Sequence, residues 1–537
     1  MGPSGSTRGS RRPTRPCTAG CGGRPTPPAA LWVSRRCWGS APAAAEVARR
    51  RWPPGAGRGS ARWSPAGCCR TLGVNPATGV GRVSREGRAV GVAERLAEVE
   101  RATPPERDRL VDLLRTAALL VVIAGHWLIA VVLVIDGEVV GDHLLALLPA
   151  TQWLTWALQV MPLFFLVGGR VNGVGWERAR AAGQPAAAWI LARTTRLVRP
   201  ALPLVGLWAV LTPVLARTGL APELLQLGTR AVLMPLWFLA VYLGVVLLVP
   251  VTWAAHRRAP WTSFGVLLVA AVVVDLLRRL GVPGVGWTNF AWVWLAIHQL
   301  GYLWHDHRLP SDRRRAGVLM VLGLLGLLVL TELLGYPRSM VGVPGELATN
   351  NTPPTVALLV LTGVQLGVVL LAADRLRRVL ARPAVWGPVA LLGRRALPLF
   401  LWHQSAMMLV IAGTVLPGWW PATARVDATW WLQRPLWFLL LGAVLAGLTA
   451  LAAQLERLWG PGRVVDDAVA GVPHPGRVVA GVLSVVAGLG WVTLTGLYDP
   501  GRTPAMAVGP LLLLLAATVT LGLLPRAVHH HRPPQRA

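Results

Sequence analysis

His126 and Arg115 are the residues whose types and spacing most readily do chemistry. His126 lies in the apolar run Ile123-Ala124-Gly125-His126-Trp127, and Arg115 precedes it by eleven positions. An imidazole titrates near neutral pH, so it can take a proton and return it. An ionisable group placed deep in an apolar segment is costly there and marks function by default. In a helix, eleven residues at about 100° each come within about 20° of three full turns, which puts both side chains on one face, about 16 Å apart along the axis. A cation at the mouth of a membrane segment with a titratable base below it suits a site that takes an anionic carrier. The plainer reading of Arg115 is an orientation anchor. Asp112, three positions earlier, is placed to form a salt bridge with it.

A second group follows: Arg193, Arg196 and Arg199, directly before Pro200. Arg residues spaced by three are neighbours on a helix, and their guanidinium groups clamp phosphates well. The alternative is an orientation signal that also holds lipid headgroups. His298 and His403 also fall inside apolar runs. They line a substrate path, or they are hydrogen-bonded contacts between helices. Asp275 and Glu332 fall near the ends of two further apolar segments.

The elements that must position these residues are membrane helices. The chain has 537 residues, 53% of them hydrophobic and only 14% charged, against roughly 25% charged in soluble domains. A soluble enzyme and a disordered chain are both excluded by that balance. A strand barrel is disfavoured because the apolar runs are continuous and not alternating. The fold class expected is an all-α polytopic membrane protein of about twelve transmembrane helices. The segments are 113–135, 144–169, 200–216, 231–253, 262–280, 287–305, 316–335, 355–373, 389–415, 432–455, 478–497 and 505–524. The third is short and broken by Pro203 and Pro213. With the N-terminus in the cytoplasm, the inner connections carry 24 Arg and the outer ones 7. This alternation obeys the positive-inside rule and places both termini in the cytoplasm of a cell-membrane protein. Trp419, Trp420, Trp430 and Trp431 read as interfacial anchors of an outer loop.

The net charge of +29 is no sign of nucleic-acid binding, because residues 1–90 alone hold 16 Arg against 2 Glu. Residues 1–92 are rich in Arg, Pro and Gly and read as disordered. They also read as upstream sequence translated from a misplaced start, since no Met falls between Met1 and Met161. All five Cys lie in the first 69 residues without disulfide spacing. Cys17 and Cys21 lack a matching pair, so no metal is expected. His529, His530 and His531, in a basic cytoplasmic tail over 526–537, are read as incidental.

The stretch Arg109-Leu110-Val111-Asp112-Leu113-Leu114-Arg115, followed by His126, resembles the opening helix of the acyltransferase-3 family of integral membrane acyltransferases. Arg115 and His126 match that family's Arg, ten residues, His marker. Arg196 and Arg199 match its paired Arg, with Arg193 and Arg196 as the alternative pair. Met161-Pro162-Leu163-Phe164-Phe165, Leu236-Trp237-Phe238-Leu239 and Leu399-Phe400-Leu401-Trp402-His403 are similar to family segments too. The resemblance covers about residues 107–455, a ten-helix core, and leaves two added helices over 456–525. It implies transfer of an acyl group, often acetyl, from cytoplasmic acyl-CoA to a hydroxyl of a carbohydrate, envelope polymer, lipid or secondary metabolite. It implies His126 as the catalytic base, with Arg115 as its catalytic partner in contact with the donor. Arg193, Arg196 and Arg199 would bind coenzyme A. Where the family often has Ser-Gly-aromatic, this chain has Val167-Gly168-Gly169-Arg170. A multi-pass transporter or exporter is the other reading of a twelve-span layout, but no repeat relates the two halves. Neither the acceptor nor the oligomeric state is legible.

Overall fold

The computed structural model describes residues 92–310, 312–458, 474–501 and 505–523, which fold almost entirely as helices. The five cysteines, the Arg-rich residues 1–91 and His529 to His531 lie outside the described residues. Helix α1 (Val92–Arg101) leads into α2 (Arg109–Ile129). Asp108 caps α2: its carboxylate accepts from the Val111 N–H, a negative charge at the positive end of the helix dipole.

The apolar run expected to be one span over 113–135 divides at Ile129. Beyond it lies an antiparallel hairpin of β1 (Ala130–Ile135) and β2 (Glu138–His143), paired from Ala130↔His143 to Ile135↔Glu138. A β-branched run followed by Asp-Gly is a hairpin signal. Asp136 and Gly137 supply the two positive φ angles, 52° and 84°, that a tight two-residue loop requires. His126 therefore sits in the last turn of α2 and not in the middle of a span. The run 144–169 divides likewise. Three short helical pieces, Leu144–Leu147, Pro149–Leu154 and Thr155–Leu158, precede α3 (Met161–Ala181).

Helix α4 (Ala186–Val198) joins α5 (Leu202–Leu215) through the turn Arg199–Ala201. The third pass thus starts well before the expected 200–216. Pro200 and Pro203 sit in the first turns of their helices, where no backbone N–H is needed. Then follow α6 (Pro222–Leu233), α7 (Leu236–Arg258), α8 (Pro260–Arg279), α9 (Asn289–His305) and α10 (Arg313–Leu328). The chain continues with α11 (Val356–Leu380), α12 (Pro383–Val410), α13 (Ala428–Leu458), α14 (Pro475–Thr495) and α15 (Val508–Thr520).

Among the described residues, ten helical passes are long and apolar enough to cross a membrane. Two expected segments are helical but shorter: α9 has 17 residues and α15 has 13. Helix α9 is the most enclosed, with Val293, Trp294, Ile297 and Tyr302 at 0% exposure. It crosses α3 with backbones in contact. A Cβ at Gly169 would collide with the His298 carbonyl, and one at Gly301 with the Leu166 carbonyl. Small residues at a crossing allow such approach, and packing drives helix association in lipid. Gly169 of the Val-Gly-Gly-Arg stretch thus has a packing role. Arg170 beside it bonds Asp108 at 3.0 Å and the Trp304 carbonyl at 3.2 Å.

Buried Asp275 accepts from Asn289 Nδ2 (3.0 Å), the Tyr336 hydroxyl (3.1 Å) and the Val356 N–H at the start of α11 (2.8 Å). It clamps the connection between α10 and α11. Glu332 pairs with Arg338 at 3.0 Å. Of the four tryptophans expected as interfacial anchors, Trp419 is 79% exposed, but Trp430 is 1% exposed and packs under the hairpin on Val131, Leu133 and Leu144.

Candidate active site

Helices α2 and α12 meet at two imidazoles. His126 Nδ1 lies 2.8 Å from His403 Nε2, with ring centroids 5.1 Å apart and planes at 15°. Near-parallel planes with so short an N···N distance describe an edge-on hydrogen bond between rings. His403 Nδ1 in turn bonds the carbonyl of Phe400. A carbonyl only accepts, so His403 carries its proton on Nδ1 and its lone pair on Nε2. That lone pair takes the N–H of His126 Nδ1. Neutral His126 is left with its basic lone pair on Nε2. The Trp127 indole N–H donates to the His403 carbonyl at 3.1 Å, and the Trp127 ring packs edge-on against Phe438 of α13. Three helices therefore fix the imidazole pair.

His126 lines a cavity of about 480 Å³. Its lining comes from the end of α2, the start of α3, the α6–α7 junction, α12, the hairpin and the loop before α11. A volume of a few hundred Å³ suits a small-molecule ligand. His143, outside the membrane-length helices, also lines it. Burial lowers the His143 pKa below the ordinary histidine value, against the opposing charge of Asp142. His143 is thus neutral at neutral pH.

The arginines gather at the other end of α2. Arg115 bonds Asp112 at 3.1 Å, the pairing expected from their spacing, and Arg107 holds the second oxygen of the same carboxylate. Arg193 lies in electrostatic range of Arg115, Arg196 and Tyr242. Its guanidinium stacks 5.1 Å from the Trp189 ring and packs on the backbone at Gly175, where a Cβ would displace it. Arg196 is exposed, and half-buried Arg199 stands at the turn into α5. The structure thus brings Arg193 within electrostatic range of Arg115 and Arg196, and Arg115 itself stands about 16 Å of helix rise from His126.

His298 does not line the cavity. It is 1% exposed, and Asn172 Nδ2 donates to both its Nε2 (3.1 Å) and the Tyr242 hydroxyl (3.2 Å). It is an interhelix contact. His403 also stays out of the cavity wall, but it serves the residue that forms it. Sequence reasoning missed Gln404, His143 and Asn351 in the lining. The only signal for Gln404 was its position next to a flagged histidine.

The site is thus an imidazole pair beside a cavity in a bundle of membrane-length helices. The acyltransferase-domain profile of the acyltransferase-3 family matches residues 109–454, well over half of the chain. The chain belongs to that family, and it is a multi-pass membrane acyltransferase. No curated protein and no solved structure matches it.

Proposed function

We propose that the chain transfers an acyl group, acetyl foremost, from cytoplasmic acyl-CoA to an acceptor hydroxyl, with His126 as general base. The observation that carries this reading is the His126–His403 pair on the cavity wall. His126 Nε2 takes the hydroxyl proton as the oxygen attacks the thioester carbonyl carbon. Nδ1–H still donates to His403, so the imidazolium that forms keeps its partner. The C–S bond of the tetrahedral intermediate then breaks. The leaving thiolate takes the proton back from Nε2, yielding an ester and free coenzyme A. Arg115, Arg193, Arg196 and Arg199 hold the donor's phosphates, a task suited to planar, permanently charged forks. The Arg bias of alternate connections supports a cytoplasmic donor end, cytoplasmic termini and a place in the cell membrane.

The test uses the full chain in nanodiscs and follows coenzyme A release from acetyl-CoA. Wild type should turn over, and His126→Ala should lose at least a hundredfold while still binding acetyl-CoA. Full activity in His126→Ala would remove the base from this mechanism. No binding of any short acyl-CoA by wild type would remove the donor.

A further inference from the structure

A second, open cavity of about 340 Å³ lies where the start of α2 meets the end of α11, lined by Arg107, Asp108, Arg109, Leu110, Arg377 and Ala381. It shares no residue with the cavity at His126. Its charged lining is three guanidinium groups and one carboxylate. The carboxylate is already engaged: Asp108 accepts from the Arg170 guanidinium at 3.0 Å and from the Val111 N–H. Arg109 is a fixed wall. Its Nη1 donates to the Leu380 carbonyl at 3.0 Å and its Nη2 to Glu100 at 2.6 Å, and its guanidinium carbon stands 5.1 Å from the centre of the Trp386 ring. Arg107 and Arg377 keep free donors. Arg107 spends only Nε, on Asp112. Arg377 stands 3.7 Å from Asp374, too far for a hydrogen bond, and is 52% exposed. Neither has a further hydrogen-bond partner among the described residues. Residues 374–382 hold Arg375, Arg377, Arg378 and Arg382 against the single acid Asp374, so the local field is positive.

The Asp112 carboxylate joins this cavity to Arg115. Arg107 holds one of its oxygens and Arg115 the other. One negative charge thus stands between two guanidinium groups, and a ligand with two separated phosphates can reach both. We infer that the cavity is a subsite for the phosphomonoester on the ribose of the donor nucleotide, the 3′-phosphate of coenzyme A, with the diphosphate at Arg115. This rests on the acyl-CoA reading for its ligand. A phosphomonoester carries up to about two negative charges at neutral pH and offers three acceptor oxygens. The free terminal nitrogens of Arg107 and Arg377 form two forks that match those oxygens better than the two of a lipid phosphodiester. Arg377 is thereby a specificity residue: it tells coenzyme A from its dephospho form.

The test is calorimetric titration of the full chain, in phosphatidylcholine nanodiscs, with coenzyme A and with 3′-dephospho-coenzyme A. Wild type should bind coenzyme A about tenfold more tightly or better, the worth of a charge-assisted contact. Arg377→Gln should bring that ratio below about threefold and leave the Kd of dephospho-coenzyme A within about twofold of wild type. Arg107→Gln should lower the ratio as well, whereas Arg115→Ala should weaken both ligands and keep it. Circular dichroism checks that the variants are folded. If Arg377→Gln is not, Arg377→Lys takes its place, since an ammonium lacks the fork and should also lower the ratio. Equal wild-type affinities for the two ligands, or a ratio unchanged in the folded Arg377 and Arg107 variants, would overturn the inference and leave the donor reading standing. A melting temperature raised by phosphatidylglycerol in wild type but not in Arg377→Gln, with no nucleotide preference, would give the cavity to a lipid headgroup and overturn it likewise. Adenosine 3′,5′-bisphosphate, set against adenosine 5′-monophosphate, separates the other failure. Bisphosphate that binds through Arg377, with no acyl-CoA turned over, overturns the donor reading and leaves the phosphate subsite standing. Binding of neither coenzyme A nor the bisphosphate overturns both.

Discussion

Replacing His403 by Phe tests the tautomer chain from Phe400 through His403 to His126. Phe fills nearly the same space but offers no lone pair. His126 Nδ1–H, now 2.8 Å from its acceptor, would be left without one. A hydrogen bond to a group that becomes charged in the reaction contributes about 1.5–3 kcal/mol, and the bond from His126 is of this kind once it takes a proton. At about 1.4 kcal/mol per factor of ten, kcat should fall roughly ten- to a hundredfold. The loss belongs in kcat, because Arg115, proposed to meet the donor, stands about 16 Å of helix rise from His126. The assay is acceptor-dependent coenzyme A release in nanodiscs, with kcat and the acyl-CoA KM fitted separately. His403→Gln should recover part of the rate, since an amide oxygen can accept from Nδ1. The double variant with His126→Ala should be no slower than His126→Ala alone. Wild-type kcat in folded His403→Phe, or a raised acyl-CoA KM at unchanged kcat, would refute the reasoning.

Arg115→Ala should raise the acyl-CoA KM at least tenfold, the worth of one charge-assisted contact to phosphate, and the effect should shrink as salt rises; equilibrium binding at two ionic strengths checks it. Gly169→Ala should lower the melting temperature by several degrees, because its methyl meets the His298 carbonyl and the backbones of α3 and α9 must part, a strain of about 1–3 kcal/mol. Asp275→Ala leaves the Tyr336 hydroxyl, the Asn289 amide and the Val356 N–H without their acceptor. It should destabilise the chain by on the order of 3 kcal/mol or more, seen as a lower thermal midpoint and faster proteolysis between α10 and α11.

Continuous apolar runs carried most of the helices into view, because helical membrane passes need long unbroken segments and tolerate few charges. Arg115 and His126 were legible for a related reason: a cation and an imidazole are conspicuous against leucine and valine. Asp112 followed from helical geometry alone. The end of α2 was not legible, since hydropathy is blind to where an apolar helix becomes an apolar strand. The Asp136-Gly137 pair is the local signal for the turn. The role of His403 was out of reach because its partner lies 277 positions away. Gln404 had no marker of its own; only the folded wall shows that its amide is sealed in and unpaired. Pro203 and Pro213 were read as breaks, yet the pass runs through both, since a proline early in a helix displaces no hydrogen bond and neighbours in a bundle accommodate a later one.

The straight run of α2 from Arg115 to His126 has a consequence for what can serve as donor. Both residues are built into one helix, so the span between guanidinium and imidazole cannot adjust by loop motion or by domain closure. On the proposed reading the helix acts as a ruler. A carrier must have its charged end and its reactive carbon separated by about eleven residues of helix rise, some 16 Å. Small activated acyl compounds such as acyl phosphates cannot touch both marks at once. A long thin arm can, and lengthening α2 by one helical turn between the two marks would tune the enzyme to a longer one.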